Sequence, residues 1–312
     1  MASEMSKDPR ELYSRSDGPV DLRDGEVPVL VHALQGAMDA GHAGRLMARH
    51  LTRKLPSERV IDFDVDTLLD YRSRRPSMVF DEGAWTSYED PTLVVDLIRD
   101  DEGAPVLLLH GLEPDLQWER FVAAVRTIID DFGVTTTIGV HGVPMGVPHT
   151  RPMTVTAHAT RTDLIEGHPN YFSSVQVPGS VSALLEFRLG QEGRDALGFA
   201  VNVPHYLAQM EYPQAAAELV RQVSRSTGLS LPVGDLEAAG AKVTAEIDRQ
   251  VSASEEVGAV VHALESQFDS FLSANGDPGR GSLSAPAEEL PSADELGAQF
   301  EAYLAGKDGE GD

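Results

Sequence analysis

The chain has 312 residues, no cysteine, and 50 acidic against 25 basic side chains, for a formal net charge of −25. That length can bury a full core, and the missing thiol excludes disulfides, thiolate catalysis and cysteine-ligated metals. An acidic surface repels phosphate backbones and anionic lipid, so neither nucleic acid nor a membrane is expected as a partner.

Residues 1–26 read as an irregular polar arm with no apolar signal core. The longest apolar runs fall short of the ~20 residues that span a bilayer, which leads us to expect a cytoplasmic protein. Val27–Ala33 reads as a first strand, followed by a glycine-punctuated loop and a helix from about Ala40 to Lys54. Val60–Val65 alternates apolar with acidic residues, as a half-buried strand does. An arginine-rich loop, Tyr71–Pro76, precedes a hairpin expected over Ser77–Tyr88. Strands at 93–98 and 104–109 lead into a helix at 116–132, whose apolar residues have helical spacing. Further strands fall at 134–140, 154–159 and 196–203, with helices at 180–189 and 213–227. Strands alternating with helices predict a mixed, mainly parallel sheet covered on both faces. A main α/β domain is therefore expected over 27–232 and a helical extension over 233–274, broken in two by the capping box Ser252–Glu255. Residues 275–312 read as a flexible acidic tail, with a short amphipathic helix at 292–304 carrying Leu296, Phe300, Tyr303 and Leu304.

Three loops at carboxyl ends of strands carry the chemistry-bearing residues, where open α/β sheets bind ligands. The first, Gly36–Gly44, has the glycine spacing of a phosphate loop. His42 and Ala43 stand where Lys and Ser/Thr would hold phosphate, and Asp39 would repel a pyrophosphate. The alternative is that Asp39 caps the helix while Gly41 permits close packing. The second loop supplies Glu113 and Asp115; the third supplies His149 and Arg151 between two prolines. Arg151 either meets a carboxylate or phosphate ligand or pairs with Glu113 or Asp115. His141, His149, His158 and His168 lack the spacing of a metal site, no Gly-x-Ser-x-Gly elbow is present, and neither a catalytic set nor a cofactor is expected. Asp62 and Asp64 share a face if the strand continues through both.

Asp39-Ala40-Gly41, Asp64–Pro76, Gly111–Phe121, Pro148–Pro152 and Val203-Pro204-His205-Tyr206 together resemble the PAC2 family, named for a eukaryotic proteasome assembly chaperone and common as longer actinobacterial proteins. The resemblance covers roughly residues 27–230. It implies a three-layer α/β/α sandwich similar to the phosphorylase/hydrolase-like fold. It also implies a non-enzymatic binding or assembly role with proteasome-related subunits, and a homo-oligomer, a trimer more than a dimer. Family chaperones use a terminal hydrophobic-Tyr-X tail; this sequence ends Lys307–Asp312, with Tyr303 inside it. The alternative is an enzyme or sensor for a small polar, nucleoside-like metabolite. Its pocket would be drawn from Asp39, Gly41, Glu113, Asp115, His149 and Arg151, with His205 and Tyr206 completing it.

Overall fold

The computed structural model describes residues 8–274 apart from 17, 19, 21, 24, 37 and 170–173. The tail expected over 275–312, with its helix at 292–304, lies outside the described residues.

An eight-stranded sheet runs through the middle of the molecule. Its strands are β1 (Tyr13–Arg15), β2 (Val29–Gln35), β3 (Ser57–Phe63), β6 (Leu93–Arg99), β7 (Pro105–Leu112), β8 (Thr136–Met145), β9 (Val155–Ala159) and β10 (Asp195–Pro204). They lie side by side in the order β1-β3-β6-β7-β2-β8-β10-β9. The neighbours β7, β2, β8 and β10 are mutually parallel. β6 and β9 flank them in the opposite sense, and β3 again shares the central direction. The central strands are buried along nearly their whole length, as sheets covered on both faces require. A separate hairpin, β4 (Met78–Asp81) and β5 (Ala84–Tyr88), stands off the sheet.

On one face lie α1 (Ala43–Lys54) and α5 (Pro213–Thr227), backed by α6 (Gly234–Ala253) and α7 (Glu255–Ala274). Leu236, Ile247 and Leu264 of the last two helices join that core. On the other face lie α3 (Trp118–Phe132) and α4 (Val181–Gln191), packed with Phe121, Ile128 and Leu185. A one-turn helix, α2 (Val65–Leu68), precedes the hairpin.

Four expectations need correction. The N-terminal arm is not wholly irregular: Leu12 is fully buried, and β1 pairs antiparallel with β3 at the sheet edge. The strand at 60–65 stops at Phe63, where Asp64 turns to cap α2 through the Thr67 amide (3.3 Å) while Asp62 pairs with Arg59 (3.3 Å), so the two carboxylates form no common stripe. The helix expected from Ala40 begins at Ala43, because Gly41 (φ 65°) and His42 (φ 50°) take left-handed conformations in a 3-10 turn. The break after α6 is where the capping box placed it, but the Ser254 hydroxyl accepts the Val257 amide (3.4 Å), whereas Ser252 bonds back to Asp248.

Candidate functional site

The carboxyl ends of the central strands carry all three loops, yet their polar residues divide into two groups. The division begins at the sheet. After β2 the chain passes to α1 on one face, and after β7 it passes to α3 on the other. Adjacent strands whose continuations diverge in this way leave a crevice between them.

On the β2 side, Asp39 is partly buried, and both its oxygens are engaged. Oδ1 accepts the amides of Gly44 (2.8 Å) and Gly142 (3.1 Å), and Oδ2 accepts that of Arg45 (3.1 Å). It thus caps α1 and ties that helix to β8. Burial pushes its carboxyl up, against the opposing pull of the three amides. Gly41 holds the next connection: its amide donates to Ala208 (2.7 Å) and its carbonyl accepts from Tyr212 (2.9 Å). A Cβ there would sit 2.9 Å from Tyr212 Cβ in an already left-handed backbone.

Glu113 and Asp115 are spent on structure. Glu113 is buried and accepts the Val181 amide at the start of α4 (2.7 Å). Asp115 accepts the Asp70 amide (2.9 Å) and pairs with Arg74 Nη2 (2.7 Å). The pairing of Arg151 with either of these carboxylates, one expectation from the sequence, is not what the structure shows.

On the β8 and β10 side, His149 and Tyr206 are buried together. The Tyr206 hydroxyl accepts the His149 backbone amide (2.9 Å) and lies 2.6 Å from Nδ1, while Nε2 lies 3.2 Å from Asp248 Oδ1 on α6. The network is satisfied when Tyr206 donates to Nδ1 and the imidazole carries its proton on Nε2. Burial pushes His149 down, with Asp248 opposing, and pushes the Tyr206 phenol up. A neutral imidazole and a phenol held protonated make a lock between loop and helix, with no nucleophile open to substrate. Arg151 completes it: Nε and Nη2 grip Asp269 on α7 (2.9 and 2.8 Å), and Nη1 meets Glu265 (3.0 Å). His205 stands beside Tyr206 with Nδ1 unpartnered, and burial lowers it. Ser180 caps α4 at the Ala183 amide. Among the described residues no group of three or more His, Asp or Glu is placed to hold a metal ion.

Apart from Asp39, the crevice is lined by residues outside the candidate set drawn from the sequence. A cavity of about 300 Å³ is bordered by Gln35, Asp39, His42, Arg45 and Gln209. It shares Gln35 and Arg45 with a second of about 420 Å³, bordered also by Arg49, Arg74 and Arg75. The arginine-rich loop 71–76 and the pair Arg45 and Arg49, one helical turn apart, were the available signals.

Fold and loop edge together define a three-layer α/β/α protein whose strand-end residues are held in structural bonds around an open cleft. The PAC2 family model matches residues 33–251, and the chain belongs to the PAC2 family. A Mycobacterium tuberculosis protein of unknown function is similar at 51% identity, over 84% of this chain and 92% of that one, with a TM-score of 0.81. A Corynebacterium glutamicum protein of unknown function shares 37% identity over 86% and 99% of the two chains, with a TM-score of 0.80. A proteasome-assembly chaperone homologue from M. tuberculosis shares the fold at 24% identity, over 75% and 99%, with a TM-score of 0.68. Comparison with curated proteins gives no match.

Proposed function

We propose that this chain is a non-enzymatic binding or assembly protein that acts on proteasome-related protein subunits as a homo-oligomer, a trimer in preference to a dimer. Family membership supports a chaperone-like role, as does the shared fold with a protein described as a proteasome-assembly chaperone homologue. The observation that carries the reading is a contrast. Glu113, Asp115, His149, Arg151 and Tyr206 at the loop edge are taken up in structural bonds, while the hairpin of β4 and β5 exposes Met78, Val79, Phe80, Trp85 and Tyr88. A two-stranded ribbon is marginal alone in water, and clustered exposed apolar residues mark surfaces that meet protein. A second copy of this chain is the occupant this reading assigns to the hairpin. No described helix is long and apolar enough to cross a membrane. The location proposed with this role is the cytoplasm.

The test is light scattering on the full chain mixed with actinobacterial proteasome α-subunits. A complex heavier than either component supports the assembly role. Two unshifted species over a wide concentration range contradict it.

A further inference from the structure

In a chain with twice as many acidic as basic side chains, four arginines gather around one cavity of about 420 Å³. Their direct partners are fewer than they are. Arg45 and Arg49 share the single carboxylate of Glu211 (3.2 and 3.1 Å), and Arg45 Nε is buried without a partner. Arg74 is fixed by Asp115 (2.7 Å) and the Gln35 carbonyl (3.0 Å). Arg75 makes no ion pair or hydrogen bond among the described residues. Glu89 and Asp90, both exposed, line the same cavity.

We propose that this cleft is a binding site for a small organic oxyanion, its carboxylate or phosphate groups gripped by Arg45, Arg49, Arg74 and Arg75. Guanidinium forks match both groups in geometry and charge. The cavity volume falls in the range of small-ligand sites, roughly 300–1,000 Å³. Its place, at the crevice where the continuations of β2 and β7 diverge, is where open α/β sheets hold ligands. The ends of Arg45 and Arg74 are already tethered, so little ordering opposes binding. The formal net charge of −25 disfavours a nucleic acid as occupant. The site is independent of the assembly role, and loss of the α-subunit complex leaves it standing.

Titration calorimetry on the full chain tests it, with pyrophosphate and citrate as probes and sodium chloride at equal ionic strength as the control. The expected result is saturable binding of at least one probe with a dissociation constant below about 1 mM. Arg75→Ala and Arg49→Ala should each weaken it about tenfold, with the Arg75→Ala melting temperature unchanged. Binding of pyrophosphate alone assigns a phosphate-bearing ligand, and binding of citrate alone a carboxylate-bearing one. Heats no larger than those of sodium chloride, or unaltered binding by both variants, would overturn the proposal.

Discussion

The two halves of the loop edge are built from similar residues and used differently. On the β8 and β10 side, His149, held by Tyr206, reaches Asp248 on α6, and Arg151 reaches Asp269 on α7, so that these three side chains are spent on structure. On the β2 and β7 side, four arginines surround an open cavity with fewer carboxylates bound to them than their charge would take. Charged residues at strand ends therefore do not by themselves make a site. What distinguishes the halves is the pair of C-terminal helices, which covers one and leaves the other open.

The floor beneath both halves gives the largest expected effect. His32 on β2 and His141 on β8 are lowered by burial to about 3 and about 4. The unfolded chain takes up protons below a pKa near 6.5, while the folded chain does not until those lower values. Stability is therefore complete above pH 6.5 and falls as the pH drops toward 4, by roughly 3 kcal/mol for each histidine. Urea midpoints at pH 7, 5.5 and 4.5 check this; a flat profile would show that the two imidazoles are solvated.

Next comes the bond that joins the halves. Asp39→Ala removes the acceptor for three amides on α1 and β8 and should cost about 3 kcal/mol by chemical denaturation. Within the closed half, Tyr206→Phe strips the partner from the His149 amide and Nδ1 and should cost about 1–3 kcal/mol. Arg151→Ala releases α7 from the loop and should cost less than Tyr206→Phe, since Asp269 is largely exposed and solvent screens the pair. Faster amide exchange along α7, with α3 unaffected, is its signature. Arg49→Ala in the open half should move the stability by less than about 0.5 kcal/mol. A larger loss there than for Tyr206→Phe would erase the distinction between the halves.

The strands and helices were legible in the sequence because their periodicities are local. The apolar run Val106–Leu109 and the helical spacing of Phe121, Val125 and Ile128 each mark an element without reference to the rest of the chain. β1 escaped because Tyr13-Ser14-Arg15 is short and polar, and only its pairing with β3 makes it a strand. The candidate residues were found at the right edge of the sheet, but their partners were not. Asp248, Glu265 and Asp269 lie on helices far along the chain, and nothing local links them to His149 and Arg151. The arginine wall was missed for the same reason, since α1 and the loop 71–76 meet only in the fold. The hairpin was legible as a hairpin, but the exposure of its aromatic residues was not, because alternation cannot say whether a second layer covers it.

That exposure carries the central claim, that this chain works through a protein-binding surface. Light scattering on the full chain and on a Phe80→Ser, Trp85→Ser double variant tests it most directly. The account predicts a mass of several 33.6 kDa chains for the unaltered protein and a shift to the single-chain mass for the variant, with its circular dichroism preserved. A single-chain mass for both, or the same multiple for both, would contradict it.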